Sequence, residues 1–228
     1  MRPCIIVLIT SCLFAPALAA DPAFIGPDAV NPIALLPPPP ANQSFETTEE
    51  LKSLHQIAAD RSAKATAQAL ADSKNETVFL FAPALGAGFT PTNFRATTAL
   101  FKKVASDAEF FEHPAKKFWQ RPRPYSLDPS LVPACANSTG KTFSYPSGHS
   151  TEAWTQGMVL AALLPAKSDA IHARAQEFAF EREICGVHYS SDIEAGHVLG
   201  VAIAGKILAS PEFQQESTAA RLELQKIQ

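Results

Sequence analysis

The chain has 228 residues, 46% of them hydrophobic and 18% charged, with a formal net charge of -3. That composition is globular and excludes a disordered chain, a coiled coil and a disulfide-dense miniature scaffold. There is no global basic field for nucleic acid. Residues 1–20 begin with Arg2, continue with an apolar stretch from Ile5 to Phe14 and end in Ala17-Leu18-Ala19. A positive start, a short apolar run and a small-x-small site predict a secretory leader cut after Ala19 or Ala20, and hence a periplasmic protein. Its removal takes away Cys4 and Cys12 and leaves Cys135 and Cys185. Two cysteines in an oxidising compartment suggest one disulfide, the alternative being two separate buried thiols. Residues 21–46 are proline-rich and end in Leu35-Leu36 followed by four prolines, Pro37 to Pro40. Such a run is extended and cannot join a helix. It reads as an arm whose leucine pair packs onto the body.

Thr47-Thr48-Glu49-Glu50 looks like a capping box, with an alanine-rich helix after it to about residue 71. A second start at Thr90-Pro91 opens a helical region over residues 92–120, which Arg121-Pro122-Arg123-Pro124 ends. Residues 125–145 are turn formers. Helical periodicity returns over 149–164, 169–184, 188–209 and 211–227. The apolar runs at 157–164 and 198–209 fall short of the ~18–20 residues that span a bilayer, so no membrane partner is expected. The expected fold is all-α: leader 1–20, extended arm 21–46 and a single compact helical domain over 47–228.

Three polar islands interrupt this pattern. They are Lys116 with Arg123; Pro146-Ser147-Gly148-His149; and Arg182 with His188 and Asp192. Singly, each has an ordinary explanation: a helix dipole partner, a helix cap, a surface ion pair. Together they are more specific. Lys116, Arg123 and Arg182 offer fixed charge and forked donors suited to a tetrahedral oxyanion. Ser147 and Gly148 stand where a helix begins, so free backbone N–H groups point at the same place. His188 and Asp192 are four apart, hence on one helix face, where the carboxylate can set the imidazole tautomer. Between them, the two histidines His149 and His188 then offer a nucleophile and a general acid. No metal-ligand spacing is present, and neither a metal nor a cofactor is expected.

The pattern Lys116-x6-Arg123-Pro124, Pro146-Ser147-Gly148-His149 and Arg182-x5-His188-x3-Asp192 resembles the signature of the phosphatidic-acid-phosphatase type 2 / vanadium haloperoxidase superfamily. Arg121-Pro122 does not fit it, because Pro114 stands seven residues before Arg121. Within that superfamily the chain is most similar to bacterial class A non-specific acid phosphatases, through the arm, the Ser-Tyr-Pro-Ser-Gly-His context and Cys185-Gly186-x-His188. The resemblance implies a secreted acid phosphatase acting on phosphomonoesters of broad range, assembled as a homodimer or larger homo-oligomer. His188 would form a phosphohistidine, Asp192 hold its tautomer and His149 protonate the leaving alcohol. Lys116, Arg123, Arg182, Ser147 and the Gly148 amide would hold the phosphoryl oxygens. The competing readings are a vanadate-dependent haloperoxidase and a non-catalytic phosphate-binding module. One departure is Glu181, where the family has Ser; a carboxylate there could divert the Arg182 guanidinium or point to solvent.

Overall fold

Ser44 rather than Thr47 starts the first long helix: its Oγ accepts from the Thr47 amide at 3.1 Å, and the helix begins at Phe45. The structure is a computed structural model describing residues 22–135 and 143–227, so the leader expected over residues 1–20 lies outside the described residues. Among the described residues, all regular structure is helical. The elements are α1 (Pro32–Leu35), α2 (Phe45–Asp60), α3 (Ala63–Asp72), α4 (Ala82–Leu85), α5 (Arg95–Trp119), α6 (Pro124–Leu127), α7 (Gly148–Leu163), α8 (Ser168–Ile184), α9 (Ser190–Ala209) and α10 (Pro211–Leu224). Short 3-10 turns precede α4 and α8 and follow α10.

The single helix expected over residues 47–71 is two, α2 and α3. Ser62 caps a new start by accepting from the Ala65 amide at 3.1 Å. Arg61 leaves the helix line to donate to the Ile184 carbonyl at 2.8 Å, which ties the break to the end of α8. The arm also differs from an unbroken extended run. Asn31 caps the one-turn α1, with Pro32 in its first turn. Leu36 is buried while Leu35 stays exposed. Further back, the Ala23 and Phe24 amides donate to Asp107, and Phe24 meets Phe213 edge to face at 5.4 Å. At the far end of the arm the Pro37 carbonyl accepts from Tyr145 Oη at 2.6 Å.

α7 is the centre of the bundle, packed against α9, α8 and α5. Phe81, Phe101, Phe111, Leu160, Phe178, Leu199, Ile203 and Phe213 belong to the one large core around it. The seam between α7 and α9 is the closest. A Cβ on Gly196 would lie 2.6 Å from the Ser147 carbonyl, and one on Gly200 2.6 Å from the Thr151 carbonyl. Glycine there lets two backbones approach to a distance that no other residue permits. Hydrogen bonds cross the same seam, from Ser150 Oγ to the Ile193 carbonyl (2.7 Å) and from the Ser147 amide to the Asp192 carbonyl (2.9 Å). The start of α7 is thereby fixed to the start of α9. Cys135 and Cys185 form the expected disulfide, with Cα atoms 5.1 Å apart, between the loop after α6 and the end of α8.

Candidate active site

The starts of α7 and α9 and the ends of α5 and α8 meet at one place, and the eight polar residues singled out by the sequence lie there. Arg123 Nη1 donates to His188 Nε2 at 2.6 Å and to the Val187 carbonyl at 2.9 Å. A guanidinium cannot accept a hydrogen bond, so Nε2 carries a lone pair and the ring proton sits on Nδ1. That Nδ1 donates to Asp192 Oδ2 at 3.2 Å. Burial pushes the His188 pKa well down, and the charges of Arg123, Lys116, His149 and Arg182 push it further. His188 is therefore a neutral imidazole with its Nε2 lone pair directed at a cation.

The geometry behind that pair is not a helix face. Gly186 takes a positive φ of 70°, His188 precedes α9, and Asp192 is the third residue of the helix. Its Oδ2 caps the helix by accepting from the Tyr189 amide at 3.0 Å while also facing His188. The carboxylate reaches the imidazole because capping bends the chain back over the helix start, which periodicity alone cannot show.

The cations are buried at three separate helix ends. Lys116 donates to the Pro146 carbonyl at 2.6 Å and the Phe143 carbonyl at 3.1 Å, and pairs with Glu112 at 2.9 Å. Burial first, then the charge of Arg123, lower its pKa to about 7. Arg182 is fully buried; its Nη2 donates to the Ala69 carbonyl at 3.0 Å and lies 3.2 Å from Cys185 Sγ. Its Nε and Nη1 meet no partner among the described residues. A buried guanidinium with two donor positions unmet costs free energy unless an acceptor is brought to it. Ser147 accepts from the Ser150 amide as the N-cap of α7, and its hydroxyl proton remains to donate. A Cβ on Gly148 would lie 2.8 Å from Glu112 Oε1, so a side chain there would displace the carboxylate that pairs with Lys116.

His149 Nε2 lies 3.2 Å from Glu76 Oε1 and 3.3 Å from the Ser73 carbonyl, its ring stacked on Phe178. Burial, then the charge of Arg182, lower its pKa to about 3. Glu181 neither diverts Arg182 nor reaches solvent. It is 3% exposed, 3.6 Å from Arg174, which also pairs with Asp72. Burial, then the hydrogen bond with Asp72, push its pKa up to about 8, so in acid it brings no charge to Arg182.

Sequence reasoning missed four residues. Arg121, set aside on spacing, pairs with Asp192 Oδ1 at 2.7 Å and with Glu50 at 2.7 Å. Ser144 donates to Asp192 Oδ2 at 2.5 Å, and Glu76 faces His149. Only the doubled Arg-Pro of residues 121–124 hinted at any of these. Among the described residues no group of three or more His, Cys, Asp and Glu could hold a metal ion. None of the described helices is by itself long and apolar enough to cross a membrane.

The sequence profile described as the PAP2 superfamily matches residues 96–215. The non-specific acid phosphatase of Salmonella typhimurium is 29% identical over 203 residues, covering 86% of this chain and 81% of that protein. The non-specific acid phosphatase of Providencia stuartii is 28% identical over 207 residues, covering 87% and 83%. An acid phosphatase of Zymomonas mobilis is 34% identical over 114 residues, covering 49% of this chain and 43% of that protein. Among solved structures, a bacterial vanadium-dependent iodoperoxidase superposes with a TM-score of 0.60 at 22% identity, over 77% of this chain and 52% of that one. That last likeness is one of fold.

Proposed function

The chain belongs to the PAP2 superfamily, and from that premise we propose that it is an acid phosphatase hydrolysing phosphomonoesters of broad range through a phosphohistidine on His188. The observation that carries the reading is Arg182, buried with two donor positions unmet, its charge bearing on a neutral His188 whose proton faces Asp192. A binding module would need the guanidinium but neither histidine. The names of the Salmonella and Providencia relatives support the reaction class.

In the proposed reaction Lys116, Arg123 and Arg182, with Ser147 and the Gly148 amide, hold the non-bridging phosphoryl oxygens. Positioning and charge stabilisation are most of what phosphoryl transfer requires, and three cations supply them without a metal. The His188 Nε2 lone pair attacks phosphorus, the ester P–O bond breaks, and His149 gives its proton to the leaving alkoxide. The phosphorylated ring keeps its Nδ1 proton, and Asp192 balances the charge that the ring has gained. His149, now neutral, takes a proton from water as the water attacks phosphorus, so phosphate leaves and both histidines are restored. Burial, then the charge of Arg182, hold the His149 pKa near 3; the phosphoryl dianion offsets that charge, so the pKa rises in the complex and the ring is protonated in acid. His188, pushed down by burial and the same cations, stays unprotonated there. Opposite protonation states for two histidines in one pH range support an acid optimum. The leader-like first 20 residues and the Cys135–Cys185 bridge support export to the periplasm.

The test is hydrolysis of p-nitrophenyl phosphate, followed by a quench in base, where phosphohistidine is stable. Turnover is expected to survive EDTA and to be inhibited more tightly by orthovanadate than by inorganic phosphate, because vanadate adopts the five-coordinate geometry of the transition state. Label from ³²P substrate should reside on the peptide containing His188 and vanish in His188→Ala, which should retain the native fold. Near-native turnover by His188→Ala overturns the assignment.

A further inference from the structure

Asp192 is a buried anion that faces two different kinds of partner. Its Oδ2 accepts from His188 Nδ1, from Ser144 Oγ at 2.5 Å and from the Tyr189 amide at 3.0 Å. Its Oδ1 accepts from Arg121 Nη1 at 2.7 Å. The Arg121 guanidinium is itself buried, sits over the Tyr189 ring with Cζ 3.8 Å from its centroid, and donates through Nη2 to Glu50 at 2.7 Å. The other Glu50 oxygen accepts from the Ser191 amide at 2.8 Å, in the first turn of α9. The result is a buried line of alternating charge: Glu50, Arg121, Asp192, then the imidazole of His188.

A carboxylate beside an imidazole does two things. It orients the ring, and it stabilises the protonated ring. A nucleophile working in acid benefits from the first and is disabled by the second, because an imidazolium has no lone pair on Nε2. Arg121 separates the two effects. Its charge already compensates Asp192 through Oδ1, so Oδ2 can hold the Nδ1 proton without drawing a second proton onto Nε2. We propose that Arg121, anchored by Glu50, is a positioning residue that keeps His188 an unprotonated nucleophile in the acid range. This rests on the phosphatase reading and goes beyond it, since Arg121 lies outside the signature spacing. The other charges facing His188 are Arg123, Lys116, His149 and Arg182, and those coupled to Asp192 include Glu183, Tyr145 and Tyr189. The four groups facing His188 are retained on substitution at Arg121, whereas Tyr145 and Tyr189 also feel its charge.

The experiment compares kcat/KM against pH for the wild type, Arg121→Gln and Arg121→Lys on p-nitrophenyl phosphate, with ¹⁵N NMR titration of His188. In Arg121→Gln the acid limb and the His188 titration should both move up by about one pH unit, the size of one near charge. Arg121→Lys keeps a cation but loses the fork, so the limb should stay near its wild-type position while kcat falls. In Arg121→Gln, a uniform loss at every pH with the limb and the His188 titration unmoved would show a merely structural role and overturn the proposal. The wild-type spectrum is a second test and keeps the proposal refutable should Arg121→Gln not fold. His188 must hold the neutral Nδ1–H tautomer throughout the acid range in which the enzyme turns over, and an imidazolium there refutes the proposal. Absence of hydrolysis by the wild type would instead reject the phosphatase reading.

Discussion

Lys116 is the cation of the site whose charge is most easily lost. Burial and Arg123 hold its pKa near 7, so it is an ammonium below that pH and a neutral amine above it. The contribution to anion binding proposed for it is therefore present in acid and lost as pH rises through about 7. The expected consequence is an alkaline fall in kcat/KM beginning near pH 7. Lys116→Arg, whose guanidinium stays charged, should carry activity to higher pH. If the limb of Lys116→Arg coincides with that of the wild type, ionisation of the substrate sets it instead. Lys116, Arg123, His149, Arg182, His188 and Asp192 were legible in the sequence because ordered spacing of rare polar residues survives in one dimension. Arg121 and Glu50 were not. Each acts through a partner distant in the chain, 71 residues for Arg121 to Asp192 and 141 for Glu50 to Ser191. Their role is visible only once α2, the end of α5 and the start of α9 are side by side.

At the scale of elements, the tightest constraint is the seam between α7 and α9. Gly200→Ala places a methyl 2.6 Å from the Thr151 carbonyl, which belongs to backbone and cannot rotate away. Separating the helices should cost about 1–3 kcal/mol, typical of overpacking, readable as a lower urea midpoint at an unchanged m-value. The same shift would move His149 relative to His188, so kcat should fall along with stability. Retention of both would show that the seam can relax. Helical periodicity placed α5, α7, α8 and α10 to within a few residues. It missed the break at Arg61–Ser62 because alanine-rich flanks on both sides read as one helix. It extended α9 back to His188 because a capping turn and a first helical turn share the spacing of four. Nothing in the spacing of Gly196 and Gly200 shows that a neighbouring backbone occupies the place of a side chain at each.

At the scale of the molecule, the Cys135–Cys185 bridge closes a loop whose ends are 50 residues apart and which contains all of α7 and α8. Chain entropy gives such a closure about 4 kcal/mol of stabilisation. Replacing both cysteines by serine should lower Tm by roughly 10 °C. It should also raise KM, because Arg182 Nη2 lies against Cys185 Sγ at 3.2 Å and the bridge holds that helix end. An unchanged Tm in the double variant, measured against the oxidised wild type, would contradict this. The arm was legible as extended and as packed on the body, which Leu36 bears out, but its polar anchors were not: its hold on Asp107 and Tyr145 depends on side chains that a proline count does not reveal.

The hydrogen bond from the Ser147 amide to the Asp192 carbonyl gives the two histidines one rigid frame, while the cations arrive separately from α5, α8 and the turn between α5 and α6. Chemistry and grip are thus on different parts. On the proposed reading, an evolving lineage can lengthen or recompose segments that carry none of these residues, and so change which alcohol leaves, without altering the step that breaks the bond. The fold separates what must be kept from what can be varied, and a scaffold of that kind can acquire new substrates by loop substitution alone.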